Sequence, residues 1–179
     1  MNCGFPDQQQ ILNASIRAAQ FLSGITSVQN VRRETGRLLG GLLGTDVVAF
    51  AERSADGSVS FSHWTYARVS DGGGAGNTGG VGVPDAGGQD PVTEDMEQAA
   101  REVLDNGFLV TPRATDQDPY AWAFLPISEE NRVTSVLVVG HLAAGQIPKD
   151  LLDVYLAVAG LVGTTTSRLS AGAELERHR

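Results

Sequence analysis

The chain has 179 residues, a hydrophobic content of 41% and a net charge of −8, which suits one globular domain with a short appendage. The acidic balance, with Lys149 the single lysine, argues against nucleic acid or an anionic membrane as partner. No window approaches the roughly 18 apolar residues of a membrane span, and no basic segment followed by an apolar one opens the chain, so a cytoplasmic segment without membrane insertion is expected.

Residues 1–7 read as a loose start, and the lone Cys3 excludes both a disulfide frame and a cysteine-based zinc site within one chain. A helical stripe of Ile11, Ser15, Ala18, Leu22 and Ile25 follows, with Gly24 near its stop. Ser27 is placed to cap a second helix, in which Val28, Val31, Thr35, Leu38 and Leu42 recur at helical spacing and Gly44 ends the run. Asp46 to Arg53 and Val59 to Arg68 then read as two strands joined through Asp56-Gly57, a hairpin signal. Strict alternation along the second strand puts Val59, Phe61, His63 and Thr65 on one face and Ser62, Trp64, Tyr66 and Arg68 on the other.

From 69 to 90 the composition turns to glycine, with little to bury and much backbone entropy to lose, so a flexible loop is expected. Its glycines lack the order of a phosphate-binding loop or a dinucleotide fingerprint. Thr93 is placed to cap a third helix whose apolar side is Met96, Ala99, Ala100, Val103 and Leu104, with Gly107 closing it. A short strand from Phe108 to Thr111 precedes a polar loop. The stretch from Ala121 to Leu142 holds two apolar runs around the polar connector Glu129 to Arg132 and reads as an antiparallel hairpin. Its second run, Val136 to Val139, is apolar on both faces and belongs in the middle of a covered sheet.

Pro148 fits the start of a last helix carrying Leu151, Val154, Tyr155, Val158, Leu161, Val162 and Leu169. Unbroken to Arg179, it would be about 48 Å long, longer than a body of roughly 38 Å, so its charged end should project as the start of a signalling helix over 171–179. Gly160, Gly163 and Gly172 either weaken it or admit a close neighbour. His178 reads as solvated.

The segment AREVLDNGFLVTP, a polar loop with Asp118-Pro119, and AFLPISEENRVTSVLVVG together resemble the second half of GAF domains. The likeness extends over about residues 8–170, and its motifs are hydrophobic patterns that mark a fold better than an activity. The resemblance implies an α+β, α/β/α layered, GAF/PAS-like domain: a central antiparallel sheet, the first, second and last helices on one face, and a ligand pocket roofed by the middle helix and loops on the other. It also implies a sensory input to a larger signalling protein, and LSAGAELERHR is similar to the connector into histidine-kinase dimerisation helices. Partners implied are a small-molecule ligand, a second copy paired through the N- and C-terminal helices, and a C-terminal output domain. The cyclic-nucleotide signature of some GAF domains is missing.

Trp64, Tyr66 and Arg68, with Trp122 and Phe124, are the candidate pocket lining, against the plainer reading of core aromatics and a surface arginine. If the other strand face lines the cavity, Phe61 and His63 replace the first three. Some GAF sensors hold haem through one histidine, which makes His63 and His141 candidate axial ligands, whereas a lone strand histidine is ordinarily hydrogen-bonded. Cys3 as a tetrapyrrole anchor lacks the expected neighbouring domain. No catalytic set is evident, and three classes remain: a non-catalytic sensor, a GAF-fold enzyme resembling the free methionine sulfoxide reductases, whose chemistry uses several cysteines, and a ligand-free dimerisation module.

Overall fold

A computed structural model describes residues 6–66, 92–112, 120–142 and 146–178. Among these residues the elements follow the order α1 (Gln8–Ser23), α2 (Val28–Leu43), β1 (Val47–Arg53), β2 (Val59–Tyr66), α3 (Glu94–Asn106), β3 (Tyr120–Glu129), β4 (Arg132–Leu142) and α4 (Lys149–Arg177). The strands form one antiparallel sheet in the order β2-β1-β4-β3. The expected loop 69–90, Arg68 and Cys3 lie outside the described residues.

Local chemistry sets most boundaries. Asp7 caps α1 in a reciprocal box with Gln10, and Thr93 caps α3 by accepting from the Met96 amide. Gly44 and Gly107 end α2 and α3 with φ of 64° and 79°, the left-handed region that glycine enters without a Cβ penalty. Ser27 holds the N-cap position of α2, yet its side chain makes no cap bond. The β3–β4 turn has two central residues, Glu130 and Asn131, both at positive φ, which matches the right-handed twist of a hairpin. The expected short strand after α3 is reduced to one bridge, Val110 to Phe124, with both backbone bonds made.

Two apolar layers sandwich the sheet. On the rear, α1, α2 and α4 bury Leu22, Leu39, Leu151 and Tyr155 against Phe50, Leu125, Leu137 and Val139. On the front, the smaller α3 sets Met96, Ala99, Ala100 and Val103 on Ala49, Ala51, Phe124, Val136 and Val138. Buried on both faces, β4 runs apolar from Val136 to Val139. The α2 stripe is turned by about one residue from the expected one: Val31, Thr35, Gly36, Leu39 and Leu43 are buried, while Val28 is exposed and Leu38 and Leu42 are only partly covered.

Helices α1 and α4 run parallel. Gln8 Nε2 meets Asp150 Oδ2 at their starts, and Arg168 reaches the Ile25 carbonyl beyond the end of α1. With 29 residues α4 is about 44 Å long, and its residues from Ser170 to His178 are all exposed. Of its glycines only Gly163 is closely packed: a Cβ there would collide with the Ser128 carbonyl of β3, whereas Gly160 and Gly172 face open space.

Candidate functional site: an aromatic floor on the front of the sheet

The pairing register places the front-facing side chains in rows across the sheet. One row runs Phe61, Ala51, Val136, Pro126, and another runs Tyr66, Val47, Gly140, Trp122. Ala49, Val138 and Phe124 form the row between them. Large rings thus stand on the two outer strands and smaller side chains on the two inner ones, and α3 packs over the rows of Ala51 and Ala49.

Strict alternation along β2 fails at one point. His63 has a φ of 56°, and the β1 register slips between Val48 and Phe50, so an extra residue is inserted in β2 as a bulge. Histidine is among the few non-glycine residues enriched in that left-handed region. As a result Phe61 joins Trp64 and Tyr66 on the front, where Phe61 stacks on Trp64 at 6.0 Å and Trp64 on Tyr66 at 6.2 Å. His63 and Thr65 turn to the rear. There His63 lies edge-on to Phe50 at 6.2 Å, and Thr65 packs where a Gly36 Cβ would stand. The expected pairing of Phe61 with His63 on one face is therefore corrected by the bulge.

Trp122 and Phe124 face the front as expected, with ring centroids 6.5 Å apart, and Tyr120 extends the series at 5.3 Å from Trp122. The Trp122 indole lies over Gly140: a Cβ at that glycine would come within 2.8 Å of its Cζ3. A glycine inside a strand weakens it and signals a close approach, here by the indole. Tyr120 was absent from the sequence candidates although it alternates with Trp122, and the approach of Trp122 to Gly140 had no signal beyond a lone glycine in an apolar run. Phe124, Val47, Val138 and Gly140 are buried, whereas Phe61, Trp64, Tyr66, Tyr120 and Trp122 are half-buried.

His141 points the other way. It is buried on the rear, with Nε2 2.6 Å from the Tyr155 hydroxyl of α4, which lies 2.5 Å from Thr45 Oγ1. Burial pushes the His141 pKa down to about 4, opposed by the nearby Asp46 carboxylate, so its imidazole is neutral at pH 7. Burial first and the Arg32 guanidinium second also lower the His63 pKa, while Glu52 opposes them. Neither candidate haem ligand faces the aromatic floor. Among the described residues no group of three or more His, Cys, Asp or Glu side chains is arranged to hold a metal ion, and no helix is long and apolar enough to cross a membrane.

This architecture is that of GAF domains, and comparison with solved structures places the chain in that fold. It is similar to the GAF domain of the potassium sensor histidine kinase of Escherichia coli, with 13% identity, a TM-score of 0.54 and coverage of 91% of this chain and 97% of that one. The GAF domain of a putative sensor histidine kinase from Pseudomonas syringae pv. tomato is 10% identical, with a TM-score of 0.59 over 96% and 95% of the two chains. An enzyme shares the fold as well: fRMsr of Staphylococcus aureus, in complex with substrate, is 9% identical with a TM-score of 0.62, covering 91% of this chain and 99% of its own. No protein-family model matches the sequence, and no curated protein does. The chain has the GAF fold.

Proposed function

We propose that the chain is a non-catalytic small-molecule sensor, the regulatory input of a signalling protein such as a two-component histidine kinase, and that it reports ligand state through α4. One observation carries this reading: the front aromatic side chains and the long helix occupy opposite faces of the same strand. Trp122 rests on Gly140 from the front, and the next residue, His141, is bonded from the rear to Tyr155 of α4. A ligand that favours one position of Trp122 over another shifts the helix by that difference in affinity and no more.

A second copy is the proposed partner along the outer side of α1 and α4. Leu12 and Ile16, one turn apart on α1, are 57% and 52% exposed, and Leu175 on α4 is 70% exposed. Leu12 and Ile16 give α1 an exposed apolar pair suited to a twin helix, and Leu175 gives the end of α4 another apolar position. An output domain would follow α4, and a cytoplasmic setting suits that arrangement.

The enzyme reading has less support, since a reaction relayed between cysteines of one chain needs more than the single Cys3. The haem reading is weakened by the placement of His63 and His141 on the rear of the sheet, away from the front aromatics. The Gly140→Ala variant tests the sensor reading by displacing Trp122 without any ligand. Hydrogen exchange of the α4 amides from Tyr155 to Val162 should then change. Unaltered protection in α4 of the folded variant would refute front-to-rear communication.

A further inference from the structure

We propose that the bulge of β2 is a proton-sensitive joint, in which protonated His63 draws Glu52 away from Arg32 and loosens the first turns of α2. The joint lies on the rear of the β1–β2 edge and is independent of the sensor reading. Its groups form one cluster. The His63 ring stands edge-on to Phe50 at 6.2 Å, and the Arg32 guanidinium lies over the same ring, 5.3 Å from its centroid. Arg32 Nη1 donates to Glu52 Oε1 and Nη2 to Oε2, each at 3.4 Å. Those bonds are long, and the two side chains are 22% and 44% exposed, so the pair is loosely held and open to exchange. Regular alternation from Phe61 would have put His63 on the front, and the bulge re-aims it toward this pair.

The charges set the direction of the change. Burial first and Arg32 second place protonation of the ring below the ordinary 6.5, so at pH 7 the imidazole is mainly neutral. Its Nδ1 lies 3.0 Å from Ser62 Oγ, and Arg32 and Glu52 keep each other. The imidazolium has two N–H donors, one for Ser62 and one that needs an acceptor. Among the described residues, Arg32 of α2 and Glu52 of β1 are the charged groups that act on this ring, while α3 packs on the other face of the sheet. Arg32 repels the new cation and Glu52 attracts it. The carboxylate therefore turns from the arginine to the histidine. His63 is exposed, so the proton arrives from solvent without any opening of the core.

The start of α2 is poorly secured against such a loss. Ser27 makes no side-chain cap bond, and no acidic residue occupies the first turn, so its amides have neither a cap nor a carboxylate beside them. Val28 is 40% exposed. One turn beyond Arg32, Gly36 lets the helix settle on Thr65 of β2, and Leu39 and Leu43 are buried further on. Arg32–Glu52 is thus a polar tie between the early turns and β1, ahead of the apolar seat. Its release frays the start without undocking the helix, because Val31 and Leu39 stay in the core.

Nuclear magnetic resonance of the whole chain, titrated from about pH 8 to about pH 4.5, tests the joint. In the wild-type protein the Arg32 Nε–H signal should move along the His63 titration curve. Protection of the amides from Val31 to Thr35 should fall by about threefold or more over the same range. His63→Asn removes the titrating ring and supplies another residue at home in the left-handed region, so the bulge should persist and both responses should flatten. Arg32→Gln should raise the midpoint of the His63 curve and Glu52→Gln should lower it. The proposal is overturned if α2 responds to pH in His63→Asn as it does in the wild type, which would assign the response to another group. It is equally overturned if Arg32 is indifferent to protonation of His63, or if neither Arg32→Gln nor Glu52→Gln moves the midpoint.

Discussion

His141 of β4 and Tyr155 of α4 form a buried hydrogen bond of 2.6 Å, and the tyrosine hydroxyl continues to Thr45 at the junction of α2 and β1. The tyrosine has one proton, so it donates to one of these neighbours and accepts from the other. Both His141 and Tyr155 are almost wholly buried, at 3% and 0% exposure, where an unmet polar group is costly. Three elements on the rear of the sheet are thereby held in one register, directly behind the glycine on which Trp122 rests.

Removing the central hydroxyl should be expensive relative to the size of the change. Tyr155→Phe keeps the ring and its packing but deprives both His141 and Thr45 of the tyrosine partner. The expected loss is about 1–3 kcal/mol in urea unfolding at pH 7. A loss below about 0.5 kcal/mol would show that the contact contributes little.

The same pair gives a pH signature. The His141 pKa is about 4 in the folded chain against 6.5 for the free side chain, so the unfolded state binds the extra proton first as pH falls. Stability from this group is fully present above pH 6.5, declines through the window down to about pH 4, and levels off below it. The maximum contribution is about 3 kcal/mol. His141→Gln should have a flatter stability profile between pH 6.5 and 4 than the wild-type chain, as read by paired denaturation curves. Parallel profiles would contradict neutral burial of the imidazole.

Regular elements were legible where the local pattern and tertiary packing agree. The apolar run Val136 to Val139 could only sit between two covered faces, and Gly44 and Gly107 end their helices at the left-handed positions that their sequence context implied. The front aromatics on β3 followed from simple alternation. On β2 alternation wrongly joined Phe61 to the face of His63 and Thr65, because the bulge depends on a left-handed histidine with no glycine or proline to announce it. The polar clasp was equally hidden: His141 stands at the end of an apolar strand and Tyr155 in an apolar helix stripe, and only the packing of α4 on the sheet joins them.

The exposed apolar pair on α1 predicts self-association. Replacing both Leu12 and Ile16 by Glu changes exposed positions only, so the fold should persist with a stability change within about 0.5 kcal/mol. Sedimentation velocity should show a dimer for the wild-type chain and a monomer for the double variant. An identical sedimentation coefficient for the two would place any dimer contact elsewhere.

The glycines of α4 separate two effects that sequence alone leaves entangled. Gly160 and Gly172 have nothing near a prospective Cβ, so alanine at either should stabilise the helix by about 0.5–1 kcal/mol through lower unfolded-state entropy. At Gly163 the Cβ would meet the backbone carbonyl of Ser128 on β3, and α4 must move away from the sheet. Gly163→Ala should therefore destabilise by about 1–3 kcal/mol despite its better helix propensity. Thermal unfolding of the three variants checks the contrast: opposite signs at Gly163 and Gly160 support close seating of the helix on β3, and equal gains at all three positions would contradict it.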